Sequence, residues 1–340
     1  MVEKREKTPP RLKERGAGGE VRGMSMNLTK YNHTDFSIDE LLKLKGRRKI
    51  FVVFSTFGER EADLVCEKIT LLNTLPAGFI DRIILNHRRS GTEYDRTETG
   101  VSTLNCGVDI VVANELAVPG MGREKGKGSD MRRSLYVINR DFAKDVDPRD
   151  AVVVFLDADV VPQYFGTHFV TALAGAVLKG ADFAKAGFWR AMGRVKKFVA
   201  QPLFSVIEHP ALKSLSEYSY PLSGECAATL EFFNSMTFWQ IYGVETGMLV
   251  DTAMGDYKVA DVNLGLYDHE HHSDMNIQKM CFGIIRTYIK SLIDHGIIEL
   301  KDGAAISDTF RCEYINEKGE RNSVNENLTE LKYPPLIDIL

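Results

Sequence analysis

The stretch AVVVFLDAD at residues 151–159 joins a continuous apolar run to two carboxylates separated by one alanine. A short apolar run of this kind is typical of a strand buried on both faces in a parallel sheet. Ligands of such sheets bind at the carboxyl ends of the strands, so Asp157 and Asp159 would face a bound group. Paired carboxylates suit a hard divalent cation that also contacts substrate phosphates. A solvated turn at the end of a strand is the alternative for so short a motif.

Similar apolar runs precede this stretch, and helical patterns separate them. The alternation predicts an α/β fold with a doubly wound, mostly parallel sheet of the nucleotide-binding kind. We predict strands at 49–55, 82–86, 109–113 and 151–156, with helices at 61–75 and 129–142. Beyond residue 160 we predict an antiparallel strand at 183–188 and helices at 166–178, 224–242 and 274–293.

The chain of 340 residues divides into five predicted regions. Its first part is charged, rich in Gly and Pro, and expected to be a disordered leader. Ser37, with Glu40 three residues later, marks the start of an expected N-terminal helix. The regions are the leader at 1–24, the N-terminal helix at 25–47, a nucleotide-binding domain at 48–160, an α+β domain at 161–300 and a loosely packed C-terminal tail at 301–340.

Composition and charge narrow the class of protein. With 44% hydrophobic and 26% charged residues the chain can form a sizeable core, and a net charge of −4 gives no general basic field for nucleic acid. No apolar stretch approaches the roughly 18–20 residues of a membrane span, and the N-terminus has no apolar signal core. Five scattered cysteines without a CxxC pair favour reduced thiols. We therefore expect a cytoplasmic protein that binds neither nucleic acid nor membranes.

Two further segments carry groups suited to an anion or a metal. The loop GMGREKGKG at 120–128 precedes a predicted helix, so that backbone amides and Lys127 could approach a phosphate closely. It is not a Walker A loop, because no Ser or Thr follows Lys127, and a mobile surface loop is the alternative. The segment YDHEHH at 267–272 has three histidines and two carboxylates, a metal-capable density. A polar surface turn is the alternative there.

In their order along residues 48–290, these motifs resemble the GT-A glycosyltransferases. Within that group the chain resembles the family of glucosyl-3-phosphoglycerate synthase and mannosyl-3-phosphoglycerate synthase. The matching segments are the turn at Gly58 and Glu59, the loop Gly126-Lys127-Gly128, the motif Asp157-Ala158-Asp159, the segment Gly193-Arg194-Val195, the motif Pro221-Leu222-Ser223-Gly224-Glu225, and the segments 242–247 and 262–265 followed by His269. Two places depart from the family: LNHRRSG at 85–91 lacks its aspartate, and Lys196 stands where relatives have Thr.

The resemblance implies transfer of glucose or mannose from UDP-glucose or GDP-mannose to 3-phosphoglycerate, with retention of the α-configuration and with Mg²⁺ or Mn²⁺. It also implies a homodimer and a product that serves as precursor of a compatible solute or a polysaccharide. Carried over residue by residue, it assigns the nucleotide to Glu59, Ser90, Lys127, Asp157 and Ala158, the metal to Asp159 and His269, the acceptor side to Gly193, Arg194, Lys196, Gly224, Glu225 and His271, and catalytic roles to Asp157, Asp159, Glu245 and Lys127.

Several alternatives stay open at the level of the sequence. The acceptor could be another phosphorylated molecule, and retention could proceed through Glu245 as nucleophile or through a front-face route assisted by the leaving phosphate. A nucleotidyltransferase would share the sheet, the Gly/Lys loop and the metal, but would release pyrophosphate. An inert sugar-nucleotide-binding protein would be expected to lack Asp159 or His269. Local net charges of +3 at 123–133 and +4 at 190–197 favour small anionic substrates.

Overall fold

Eight strands form one central sheet in the part of the chain that the computed structural model describes, residues 28–191, 193–268 and 273–340. The predicted leader at 1–24 lies outside these residues. The sheet order is β1-β9-β6-β7-β5-β2-β3-β4. The strands in chain order are β1 (Leu28–Asn32), β2 (Lys49–Phe57), β3 (Arg82–Arg88), β4 (Val108–Val112), β5 (Ala151–Asp157), β6 (Phe183–Trp189), β7 (Cys226–Thr229), β8 (Phe238–Trp239), β9 (Val259–Leu266), β10 (Thr309–Ile315), β11 (Arg321–Asn327) and β12 (Lys332–Tyr333).

Helices cover both faces of this sheet. In β5, Val152 and Val154 pack into one hydrophobic core, whereas Val153 and Phe155 pack into the other. Burial on both faces is why the run is continuously apolar, and the predicted doubly wound α/β fold is confirmed. The helices are α1 (Ile38–Lys45), α2 (Ala62–Leu72), α3 (Arg96–Thr103), α4 (Lys127–Val137), α5 (His168–Leu178), α6 (Gln201–Ser205), α7 (Leu230–Ser235), α8 (Val244–Met254) and α9 (Asp274–Asp294).

The predicted helix at 224–242 is wrong. This segment forms β7, the short helix α7 and β8. Strand β7 inserts between β5 and β6 and is antiparallel to both, while the other neighbouring strands of the sheet pair in parallel. The small residues of β7 fit this buried position, so that tertiary packing overrides the helix propensity of its alanines. The predicted antiparallel strand is β6, which is parallel to β9 on its other side.

The N-terminal region contains elements beyond the predicted ones. Strand β1 precedes α1 and pairs with β9 at the edge of the sheet, and α3 was not predicted. Ser37 is the N-cap residue of α1, but its side chain makes no capping hydrogen bond. Strands from both sides of the predicted domain border near residue 160 belong to the same sheet.

The expectation of a loosely packed C-terminal tail is wrong for its last part. After the exposed hairpin of β10 and β11, strand β12 pairs with β8, and Tyr333 and Leu336 are buried. Polar side chains of the hairpin face solvent, and this explains why the composition of the region resembled that of a tail. None of the helices in the described part of the chain has both the length and the hydropathy of a membrane span.

Candidate active site

The candidate active site lies at the edge of the sheet where its parallel strands end. Strand β5 ends at Asp157, and β2, β6 and β9 end beside it. Strand β7 runs in the opposite direction, so its beginning reaches the same edge. A cavity of about 600 Å³ opens there. Of the predicted site residues, it is lined by Lys127, Asp157, Asp159, Arg194, Lys196, Gly224 and Glu245.

Lys127 is the central cation of this cavity. Its Nζ donates a hydrogen bond to Asp157 Oδ1 at 2.6 Å and lies 3.1 Å from Glu245 Oε1. Burial lowers the pKa of this lysine, but the charges of Asp157 and Glu245 outweigh burial and hold the pKa well above its ordinary value. Lys127 therefore stays protonated across the physiological pH range and offers a fixed positive charge to an anionic ligand.

The glycine-rich loop places Lys127 by packing against β8. Gly126 has a φ of +137°, and a Cβ there would lie 2.4 Å from the carbonyl oxygen of Gln240. At Gly128 a Cβ would lie 1.7 Å from the carbonyl oxygen of Trp239. Contact with backbone thus requires both glycines, and the end of the loop at Gly126–Gly128 is packed, whereas its earlier part remains on the surface, with Arg123 and Lys125 exposed.

The buried residue Lys68 stabilises the backbone of the Asp-x-Asp turn. Lys68 on α2 donates a hydrogen bond from Nζ to the carbonyl oxygen of the buried Ala158 at 2.9 Å. Burial lowers the pKa of Lys68 to about 8, against the opposing charges of Asp159 and other carboxylates. No sequence signal set Lys68 apart from the other charged positions of its helix, so sequence reasoning missed it.

The donor set of the turn fits a divalent metal. Asp157 and Asp159 line the same cavity and are half-buried, and carboxylate oxygens are ligands that Mg²⁺ and Mn²⁺ accept. The other predicted ligand, His269, lies outside the described residues, as does His271. The pairing of Asp159 with His269 on one metal therefore stays a prediction.

Gly224 lies against the charged pair of Asp157 and Lys127. A Cβ at this position would lie 1.9 Å from Asp157 Oδ2 and 2.2 Å from Lys127 Nζ. We expect Gly224→Ala to push the pair apart and to lower catalytic turnover about 100-fold, since displacements near 1 Å cost this much. The measurement is kcat together with the melting temperature. The control is Gly91→Ala, whose added Cβ meets no atom within 4 Å. Equal losses of kcat in both variants would contradict the conclusion that the charged pair needs a glycine at position 224.

Glu225 lies behind the cavity wall. It is fully buried, and Tyr267 donates a hydrogen bond from its hydroxyl to Glu225 Oε1 at 2.9 Å. Burial, reinforced by the charge of Asp157, raises the pKa of Glu225 to about 8. Tyr267 itself lines the cavity, and sequence reasoning had assigned it no role. Direct contact between the Glu225 carboxylate and a substrate stays a prediction.

Further basic side chains line the cavity, and we call them its basic wall. Arg194 forms an ion pair with Asp274, and Arg190 Nε lies 3.2 Å from Asp268 Oδ1. Lys196 Nζ lies 5.1 Å from the centre of the Tyr220 ring, and burial lowers the pKa of this lysine. The net positive charge of residues 190–197 had predicted a basic region here, but it did not identify Arg190 as a residue of the site. Gly193 is buried next to Tyr220, where an added Cβ would lie 3.6 Å from the Tyr220 hydroxyl oxygen.

Glu59 and Ser90 flank a turn beside the cavity rather than lining it. Glu59 is exposed, and its Oε1 accepts a hydrogen bond from the backbone N–H of Arg96 at 3.0 Å. The turn depends on Gly58, which has a φ of +60° and packs near the Ser90 side chain. The structure leaves both side chains at the rim, where contact with a nucleotide base stays a prediction.

A buried hydrogen-bond network lies behind this rim. His87 bonds to Thr56 through Nδ1 at 2.9 Å and to Asp95 through Nε2 at 2.8 Å. His87, Asp95 and Glu98 have the spacing of metal ligands. However, Asp95 also caps the N-terminus of α3, and Arg89 forms an ion pair with Glu98 at 2.6 Å. We therefore interpret this group as a structural network.

The fold and the site together define a class of protein. A mostly parallel sheet with an Asp-x-Asp turn at the end of β5, facing a lysine and a basic wall, is the arrangement of a GT-A glycosyltransferase. No family model matches the chain. Comparison with curated proteins finds glucosyl-3-phosphoglycerate synthase of Petrotoga mobilis, 28% identical over 330 residues, covering 91% of this chain and 93% of the relative. The same enzyme of Mycolicibacterium paratuberculosis is 30% identical over 277 residues, covering 76% of this chain and 77% of the relative. The chain belongs to the glucosyl-3-phosphoglycerate synthase family.

Solved structures agree with this assignment. Glucosyl-3-phosphoglycerate synthase from Mycobacterium tuberculosis, solved in complex with Mn²⁺, UDP and phosphoglyceric acid, superposes with a TM-score of 0.73 at 25% identity. The match covers 93% of this chain and 100% of that chain. Mannosyl-3-phosphoglycerate synthase from Rubrobacter xylanophilus shares the fold, with a TM-score of 0.75 at 24% identity over 92% of this chain and 96% of that chain. The predicted family and fold class are confirmed.

Proposed function

We propose that this chain transfers glucose from UDP-glucose to 3-phosphoglycerate, with Mg²⁺ or Mn²⁺, and releases UDP and glucosyl-3-phosphoglycerate. The observation that carries the proposal is one cavity that is lined both by Lys127, paired with two carboxylates, and by the basic residues Arg194 and Lys196. The Mycobacterium tuberculosis relative has been solved with Mn²⁺, UDP-glucose and phosphoglyceric acid, and with glucosyl-3-phosphoglycerate.

On the donor side, the enzyme must stabilise the charge that develops on the leaving diphosphate. Preorganised positive groups do this best in a site shielded from water. The Lys127 ammonium is such a group, because its two carboxylate partners fix it at the start of α4. A divalent cation held by Asp159 and His269 would add Lewis-acid stabilisation of the same charge. These residues thus share the task of making the diphosphate a good leaving group.

On the acceptor side, the basic wall suits a small molecule with one carboxylate and one phosphate. Arginine binds such groups through parallel N–H donors. In the unliganded structure Arg194 pairs with Asp274, whose side chain is 82% exposed. An exposed ion pair contributes only about 0–1 kcal/mol, so Arg194 can exchange this partner for the substrate at little cost.

Glu245 is held in an ion pair with Lys127 rather than left as an independent carboxylate. This placement favours a role in binding hydroxyl groups of the donor sugar over a role as free nucleophile. We therefore propose that retention proceeds by the front-face route, in which the leaving phosphate assists the attack of the acceptor hydroxyl.

The function is tested by product analysis. The protein is incubated with 3-phosphoglycerate, Mg²⁺ and either UDP-glucose or GDP-mannose, and the nucleotide and product are identified by mass. We expect UDP and a product that is one hexosyl unit heavier than 3-phosphoglycerate. Release of GDP from GDP-mannose alone would reassign the donor. In a second incubation with UTP or GTP and a sugar phosphate, release of pyrophosphate would instead support the nucleotidyltransferase alternative.

Replacement of Arg194 by alanine should weaken acceptor binding selectively. Loss of a charge-assisted hydrogen bond costs about 1.5–3 kcal/mol, so we expect the KM for 3-phosphoglycerate to rise roughly 10- to 100-fold. The KM for UDP-glucose should change less than about threefold. Lys197→Ala is the matched control, because Lys197 is exposed on the same segment and does not line the cavity. An equal rise of both KM values would contradict the acceptor role.

We also propose a cytoplasmic homodimer whose product is the precursor of a compatible solute. The five cysteines are free thiols, which suits a reducing compartment. Light scattering on the purified protein should give the mass of two chains. The mass of one chain would contradict the dimer without affecting the proposed reaction.

A further inference from the structure

The segment at residues 328–336 packs across two parts of the candidate active site. Leu331 donates a hydrogen bond from its backbone N–H to Gln240 Oε1 at 3.1 Å, and Gln240 returns one to the carbonyl oxygen of Leu331 at 2.9 Å. Strand β12 pairs with β8 in the same place. We name residues 328–336 the C-terminal strap.

Glu330 is the buried charge of the strap. Its carboxylate accepts hydrogen bonds from the backbone N–H groups of Tyr242 at 2.8 Å and Gly243 at 3.1 Å. Arg286 Nη2 of α9 lies 3.3 Å from Glu330 Oε1. The approach is close enough that a Cβ on Gly243 would lie 2.8 Å from Glu330 Oε2. Glu330 thus fixes the two residues that precede α8.

The turn that Glu330 fixes leads directly into the catalytic pair. Helix α8 begins at Val244, and the next residue is Glu245, whose Oε1 lies 3.1 Å from Lys127 Nζ. A carboxylate bound to N–H groups at the start of a helix also stabilises the helix dipole. A shift of this turn would therefore move Glu245 relative to Lys127.

The strap also reaches the other member of the pair. The backbone N–H of Ser129 donates to the carbonyl oxygen of Gln240 at 3.2 Å, and the Ser129 hydroxyl lies 3.0 Å from the Tyr333 hydroxyl. Gln240 Nε2 donates to the carbonyl oxygen of Lys125 at 2.9 Å. These contacts involve residues just before and just after Lys127 in the chain. Through them and through Glu330, the C-terminal strap stabilises the segments that position both Lys127 and Glu245.

We propose that Glu330 is a positioning residue for glucosyl transfer, which acts by holding the turn at Tyr242 and Gly243 so that Glu245 stays paired with Lys127. The inference rests on the proposed function, since it takes Lys127 and Glu245 to act on the donor. The C-terminal strap would thus contribute to catalysis, although no motif in its sequence indicates such a role.

The decisive variant is Glu330→Gln. It keeps the size of the side chain but removes the charge, and it turns an amide NH₂ group towards the backbone N–H groups or towards Arg286. We expect kcat to fall about 10- to 100-fold, because displacements near 1 Å have effects of this size. The KM for 3-phosphoglycerate should change less than about threefold. Glu326→Gln is the matched control, since Glu326 lies on β11 and pairs with Lys279 outside the turn.

Two further measurements separate positioning from general stability. Hydrogen exchange of peptides covering 240–246 should be faster in Glu330→Gln than in Glu326→Gln, and this readout needs no substrate. In a double-mutant cycle, Glu330→Gln should reduce kcat much less in a Glu245→Gln background, because the group that it positions is already altered. Glu330→Asp, which keeps the charge opposite Arg286, replaces the Gln variant in both measurements if that variant does not fold.

The outcomes distinguish this inference from the proposed function. Wild-type kcat in Glu330→Gln, or additive effects in the cycle, would overturn the positioning role while leaving the reaction intact. Absence of glucosyl transfer by the wild-type protein would overturn the proposed function. In that case unchanged hydrogen exchange at 240–246 would also overturn the structural part of the inference.

Discussion

Replacing Asp159 by asparagine is expected to reduce metal-dependent glucosyl transfer about 1,000-fold. The substitution keeps the shape of the side chain but removes the charge of a carboxylate that lines the cavity and that we propose as a metal ligand. A bound metal supplies several kcal/mol of transition-state stabilisation, and each 1.36 kcal/mol corresponds to a tenfold change in rate, which gives about three orders of magnitude. Lys68 holds the turn through the backbone of Ala158, so the fold should survive.

Binding of Mn²⁺ measured by calorimetry provides a readout besides activity. Asp159→Asn should bind Mn²⁺ at least about 10-fold more weakly than the wild type, the scale of changes at metal sites. Asp302→Asn serves as control, because Asp302 is exposed in the loop after α9 and lies outside the cavity. Wild-type Mn²⁺ affinity together with wild-type turnover in Asp159→Asn would refute the metal assignment.

In the first half of the sheet, β2, β3 and β5 could be predicted because they are buried on both faces, and their continuous apolar runs are the signal of a parallel sheet. The run at 109–113 also predicted β4, although this edge strand is only half-buried. The position of the candidate site was predicted by the same logic, from the Asp-x-Asp turn at the end of β5 and the loop at 120–128 before a helix expected at 129–142. The helix, α4, begins two residues earlier than predicted, at Lys127.

The second half resisted prediction because its strands depend on partners far along the chain. Cys226–Thr229 is a strand only because β5 and β6 leave a narrow place between them for small residues. Likewise β12 is a two-residue strand that exists through pairing with β8. Local propensity carries no information on either contact. For the same reason, sequence reasoning could not identify Glu330, which lies next to α9 only in the folded chain.

The supporting residues of the site share this property. Lys68, Tyr267 and Glu330 each act through a contact with a segment remote in sequence: the carbonyl of Ala158, the carboxylate of Glu225 and the turn before α8. A motif identifies groups that meet the substrate, because their chemistry is recognisable. Groups that hold a motif in place are recognisable only once the fold brings the two segments together.

Replacing Lys127 by methionine is expected to lower turnover by about 100- to 1,000-fold, the size of effect seen when a preorganised electrostatic donor is removed. The loss should appear mainly in kcat, because in the proposed reaction Lys127 stabilises a charge that develops as the diphosphate leaves. Lys125→Met is the matched control, since Lys125 is exposed in the same loop and contributes only its backbone carbonyl to Gln240 Nε2.

For Lys127→Met we also expect a larger stabilisation by Mn²⁺ than in the wild type, which is the opposite of what a general loss of function would produce. Without the ammonium group, Asp157 and Glu245 lose the cation that lies 2.6 Å and 3.1 Å from their oxygens. Their mutual repulsion should lower the melting temperature in the absence of metal. Because the cavity is then more negative, added Mn²⁺ should raise the melting temperature more in Lys127→Met than in the wild type. A smaller rise than in the wild type would show that Lys127 does not balance these carboxylates.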